Sequence, residues 1–157
     1  MTPHVDQYVS EEDKEIFFRI RDLIHQLPDI DLGKDERGEK ILLSCHMLTR
    51  ALSKIFKIPY RDGLYAKCYE HSWLQTKCGN IIDVYPVLAL GGPVLVGVSN
   101  TILSPARTLY VPKSARSISQ KFSANSFHRS VRRIVRGLNS IFLKGGLGCD
   151  RQRQMIG

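Results

Sequence analysis

The sequence predicts an α+β domain, and three observations carry that expectation. Two helical periods of apolar residues open the chain. Short segments rich in β-branched and aromatic residues follow beyond Pro59, and a basic amphipathic period closes the chain. The first helix is expected behind Ser10, an N-cap type, with Asp13 at the capping-box position. Ile16, Phe17, Ile20, Leu23, Ile24 and Leu27 recur at helical spacing, and Pro28 ends the pattern. Asp29 to Lys40 is polar, contains Gly33 and Gly38, and reads as a loop.

In the second helical period Leu48, Leu52 and Ile55 mark a buried face, which Ala51 and Phe56 broaden. Ser44 is its expected N-cap and Pro59 forces its end. Cys45 then falls in the first turn, on the buried face. The segments RDGLYAKCY, EHSWLQT, NIIDVYP, PVLVGV and RTLYV suggest an antiparallel meander, and Gly91-Gly92-Pro93 reads as a turn. After Pro112 the chain is polar and Ser-rich to about Asn125. Phe127, Val131, Ile134, Val135, Leu138, Ile141 and Phe142 then make an amphipathic stripe, and the tail from Gly145 is expected to be mobile. Residues 1–112 are expected to form the main domain, with 113–157 a basic helix and tail packed on it.

The totals restrict the function classes. With 157 residues, 43% hydrophobic and 24% charged, the chain fits a single domain with a real core. Its most apolar window, Val84 to Val98, is broken by Pro86, Gly91, Gly92 and Pro93. That window is also shorter than the ~20 residues of a membrane helix. MTPHVDQYVSEEDKE carries neither a basic start nor an apolar run, so no export signal is expected and the expected compartment is the cytoplasm. Cysteines 45, 68, 78 and 149 are then expected to be free thiols. The formal charge of +8 is uneven: from Pro105 onward there are eleven Lys/Arg and one acidic residue, Asp150. Arg129, Arg132, Arg133 and Arg136 are expected to face water while the stripe packs inward. Alternatively, they would meet an anionic membrane, nucleic acid or acidic partner. No nucleic-acid-binding signature accompanies them, and nucleic acid is the weaker choice.

A thiol nucleophile needs a lowered pKa, a base, and a group that orients the base. The first turn of a helix, with its unpaired N–H groups and positive dipole end, favours a thiolate at Cys45. His71 opens HSWLQT, and Asp83 lies in IIDVYP on the next strand. If Lys77-Cys78-Gly79 is a three-residue hairpin loop with Gly79 left-handed, Thr76 pairs with Asn80. Trp73 then faces Asp83 and His71 faces Tyr85, making His71 and Asp83 diagonal neighbours on one face. A loop one residue longer would put them on opposite faces. Trp73 is expected to be structural. Cys45, His46, Cys68, His71 and Cys78 do not match the paired spacings of structural zinc sites, and neither metal nor cofactor is expected. His4, His25, His46 and His128 are expected to have no chemical role, His46 pointing away from the core.

Cys at a helix start, KIPYR (57–61) at its end, then HSWLQT and IIDVYP together resemble the transglutaminase-like superfamily over residues 41–86. The resemblance implies a papain-like core in which the Cys-bearing helix packs on an antiparallel sheet. It makes Cys45 the nucleophile, His71 the base and Asp83 the residue that orients the histidine. Lys57 stands where the family has glycine. The activity implied is acyl transfer from an amide of a peptide or protein through a thioester, as a cysteine peptidase or amidase or a transglutaminase-type acyltransferase. A non-catalytic adaptor of the same fold, acting through its basic helix, is the alternative from another class.

Overall fold

A computed structural model describes residues 9–84, 93–97, 105–118 and 122–153, with side chains of the last helix described through residue 144. Its α-helices are α1 (Glu11–His25), α2 (Cys45–Phe56) and α3 (Asn125–Arg153). Five strands, β1 (Tyr60–Tyr65), β2 (Tyr69–Gln75), β3 (Ile81–Asp83), β4 (Val94–Val96) and β5 (Tyr110–Pro112), form one sheet in the order β4-β3-β2-β1-β5. Every pairing is antiparallel. The chain is therefore α+β. No helix among the described residues is long and apolar enough to cross a membrane.

The helix starts follow local chemistry. The Ser10 side chain caps α1 by accepting from the Asp13 N–H, and Ser44 caps α2 by accepting from the Met47 N–H. The Asp13 carboxylate does not complete a capping box, however. It is buried and accepts from Thr76 Oγ1 at 2.7 Å and Asn80 Nδ2 at 2.6 Å, fastening α1 to the β2–β3 turn. Two partners in an apolar setting hold the carboxylate better than a solvent-exposed N–H. At the end of α2, Lys57 takes the left-handed conformation with φ 58° and ψ 37°. Glycine adopts this geometry without a Cβ penalty, and it is the residue the resemblance expects there.

The β2–β3 register follows the three-residue loop. Leu74 pairs with Ile82, Gln75 with Ile81, and Thr76 N–H reaches the Asn80 carbonyl, with Gly79 at φ 82°. The expected partner of His71, Tyr85, lies outside the described residues, as do Gly91 and Gly92.

Two strand expectations change. RDGLYAKCY is not one strand: β1 ends at Tyr65, and Ala66 (φ 50°) and Lys67 (φ 69°) make a tight turn into β2. Positive φ at both central residues matches the right-handed twist of a hairpin. Neither residue is the Gly, Asn or Asp that announces such a turn. The sheet is also not a simple meander, because β5 returns to pair with β1, Tyr110 opposite Tyr65 and Pro112 opposite Gly63. A Cβ at Gly63 would lie 2.2 Å from the Val111 carbonyl oxygen and 2.6 Å from the Trp73 ring. Only glycine admits β5 that closely.

The sheet separates two apolar clusters. On one face Leu74, Ile82, Val84 and Leu95 meet Phe17 and Ile20 of α1, Leu48 and Leu52 of α2, and Ile134 and Leu138 of α3. On the other, Tyr65, Trp73, Ile81, Val94, Val96 and Tyr110 pack together. The stripe of α3 is thus part of the core, and the helix backbone continues to Arg153 where a mobile tail was expected. Side-chain burial of the stripe holds its first turns, and the i→i−4 ladder propagates beyond it. Glu36, from the loop after α1, accepts from the Ser126 N–H (2.9 Å) and Oγ (2.6 Å) at the start of α3.

Candidate active site

The site forms where the first turn of α2 meets β2. Because α2 begins at Cys45, the first backbone N–H groups of the helix have no i−4 carbonyl to reach. Ser44 accepts from Met47 N–H through its side chain and from Leu48 N–H through its carbonyl. The N–H groups of Cys45 and His46 bond to nothing else among the described residues. The Cys45 thiol in the same turn is half-buried.

His71 lies on the sheet face that carries Trp73, Tyr65 and Tyr110, all within 6.5 Å of its ring between centroids. Its Nε2 stands 2.8 Å from Asp83 Oδ2, and both side chains are buried. This leaves Nδ1 for the Cys45 thiol, which is within hydrogen-bonding reach of the ring. The structure therefore brings Cys45, His71 and Asp83 together in the order expected from the sequence. Burial works against a charge on Cys45, but hydrogen bonding and electrostatics from the neighbouring His46 and His71 rings outweigh it, lowering the thiol from 9.0 to about 6. Burial also opposes the His71 cation. Its hydrogen bonds to Asp83 and Cys45 and their negative charges prevail, raising it from 6.5 to about 10. Between those values the pair is a thiolate beside an imidazolium.

Two further groups complete the surroundings. Tyr110 donates its hydroxyl to Asp83 Oδ2 at 2.8 Å, so that oxygen accepts from both Tyr110 and His71. Burial, and then the Asp83 charge, push the Tyr110 phenol above its ordinary range, which keeps it a donor. Its place depends on β5 crossing back to β1, which no short-range pattern announces.

The second group is His46, expected to point away from the core and found buried beside the thiol. Its Nδ1 is 2.6 Å from Ser72 Oγ, and Ser72 donates in turn to Asp62 Oδ1 at 2.6 Å. Asp62 is held by both Arg50 nitrogens, at 3.0 and 2.8 Å. Arg50 lies between the rings of Tyr60 (4.4 Å) and Phe122 (4.1 Å). Polar partners on β1 and β2 outcompete water for the imidazole, which is why helix periodicity alone misplaces it. Adjacency to Cys45 at the helix start was the one available signal, since both side chains of a first turn reach the same helix end.

Trp73 is 1% exposed and packs on Tyr110 with ring centroids 5.3 Å apart, in keeping with a structural duty. Cys45, Cys68 and Cys78 are free, the last two exposed; the side chain of Cys149 lies outside the described ones. No group of three metal-ligating side chains occurs among the described residues. Beside the first turn of α2, a groove of about 490 Å³ runs between the 35–42 loop, Met47 and the start of α3. Leu42 and Leu43, just ahead of the cysteine, are exposed. On α3, Arg132 and Arg136 are exposed. Arg129 and Arg133 instead donate to the carbonyls of Lys34 (2.5 Å) and Asp31 (2.9 Å), so two of the four arginines expected to face water or an anionic partner clamp the loop after α1.

Compared with protein-family models, with curated proteins and with solved structures, the chain has no match.

Proposed function

We propose that this protein is a cysteine-dependent hydrolase or acyltransferase acting on an amide of a peptide or protein. The observation that carries the reading is the Cys45 thiol beside a His71 ring whose far nitrogen is tied to buried Asp83 at 2.8 Å. In the transglutaminase-like and papain-like reading, the thiolate attacks the carbonyl carbon, and the imidazolium protonates the departing amine. Asp83 and Tyr110 hold the ring in the tautomer that presents Nδ1 to sulfur. The unpaired N–H groups of Cys45 and His46 supply donors for the oxyanion. A peptide would approach along the groove past Leu42 and Met47. The exposed Arg132 and Arg136 would favour an anionic partner or acidic substrate protein.

The test uses p-nitrophenyl acetate as an activated acyl donor. The expected result is a stoichiometric burst of nitrophenolate and an acetyl group located on Cys45 by peptide mass spectrometry. Cys45→Ala should abolish both, and His71→Ala should abolish the burst. A wild-type protein acetylated no faster at Cys45 than at exposed Cys68 and Cys78 would overturn the proposal.

A further inference from the structure

The thiol of Cys45 is flanked by two imidazoles, and the mechanism above uses only one. His46 is 5% exposed and lies 5.0 Å from the Phe122 ring between centroids. Its protonation pattern is dictated by its neighbours. Asp62, already the acceptor for both Arg50 nitrogens, takes the single hydroxyl proton of Ser72 at 2.6 Å. Ser72 Oγ also accepts from Arg50 Nη1 at 3.4 Å, so toward His46 it has only a lone pair to offer. At 2.6 Å, His46 must donate through Nδ1. A neutral ring with its proton on Nδ1 carries its lone pair on Nε2, and Nε2 is the nitrogen left for the thiol side. His71 is arranged the other way round: Nε2 serves Asp83, which leaves Nδ1 for the sulfur.

Resting on the proposed acyl transfer, the geometry points to His46 as a second catalytic histidine, the base that deprotonates the acyl acceptor when the thioester is released. Ser72, Asp62 and Arg50 are its positioning residues. In the first half-reaction the Sγ–C bond forms and the C–N bond breaks, and the His71 Nδ1 proton leaves with the amine. In the second, an O–H of water (or an N–H of an amine acceptor) gives its proton to His46 Nε2. The new bond to carbon forms, and the C–S bond breaks with its electron pair left on Cys45 as thiolate. Passage of that proton from His46 to neutral His71 restores the starting state. The nucleophile then stands between an acid held by Asp83 and a base held by Asp62. No single imidazole has to reorient between the two half-reactions.

The arrangement separates the two half-reactions experimentally. With p-nitrophenyl acetate, His46→Gln should keep the burst amplitude, while the steady-state rate falls about 10²-fold, the usual contribution of a general base. The acetyl group should then accumulate on Cys45. Ser72→Ala removes the acceptor of the Nδ1 proton but leaves the Arg50–Asp62 pair. It should show the same split with a smaller fall, about 10-fold, and it carries the test if His46→Gln does not fold. A steady-state rate within twofold of wild type in the folded variants, with equal burst, would overturn the assignment while leaving Cys45 as nucleophile. A wild-type protein with no burst would instead remove the acyl-transfer reading beneath it.

Discussion

Removing the His71 ring should change how Cys45 reacts at low pH far more than at neutral pH. The Cys45 thiol is lowered to about 6 against an ordinary 9.0. Its charged form is thus present above about pH 6 and lost as pH falls through that value. At pH 5 a thiol of that kind is roughly one-tenth ionised, whereas an ordinary one is ionised about one part in ten thousand, a ratio of about 10³. A less basic thiolate is also less nucleophilic. With a Brønsted slope of about 0.4–0.5, that returns about 20- to 30-fold. The net advantage is about 30- to 50-fold at pH 5 but only about 3- to 5-fold at pH 7. These are upper limits for His71→Ala, because His46 stays beside the sulfur. The assay is iodoacetamide alkylation across pH 5–10, located by peptide mass spectrometry, with exposed Cys68 and Cys78 as internal reference thiols. The wild-type profile should plateau above pH 7, and the variant should rise later and overtake it in alkali. That crossing cannot arise from simple unmasking of the thiol, which speeds reaction at every pH. Profiles that coincide within twofold at pH 5 would refute the ion-pair argument.

Three further outcomes concern the frame around the site. Asp13→Ala leaves Thr76 and Asn80 without their shared acceptor inside the fold, and urea denaturation should show a loss of about 2–3 kcal/mol. Lys57→Gly relieves a left-handed residue at φ 58°. It should raise stability by about 0.5–1 kcal/mol, read as a midpoint a few degrees higher in a thermal melt. Gly63→Ala sets a Cβ 2.2 Å from the Val111 oxygen. About 3 kcal/mol should be lost, together with protection of the β1–β5 amides in hydrogen exchange.

How much was legible in advance varied with the range of the interaction involved. Ser10 and Ser44 as caps, the buried face of α2 and the stripe of α3 all follow from residues within one or two turns of each other. Their physics is contained in a short window of sequence. The β2–β3 register was legible for the same reason: a three-residue loop with Gly79 left-handed fixes which residues oppose one another. That register alone set His71 and Asp83 within reach. The turn at Ala66-Lys67 was not legible, because its positive φ values are imposed by pairing on both sides rather than invited by Gly or Asn.

By itself, then, the sequence determined the α+β class, the helix starts, and the pairing that joins His71 to Asp83. Only the tertiary structure decided that Asp13 leaves its own helix for Thr76 and Asn80, that Tyr110 returns on β5 to Asp83, and that His46 turns inward to Ser72. Each of these is a buried polar group whose partner lies far away in the chain. Local propensity carries no information about such partners. Desolvation does the choosing: a carboxylate, phenol or imidazole taken from water must find hydrogen bonds wherever the fold offers them.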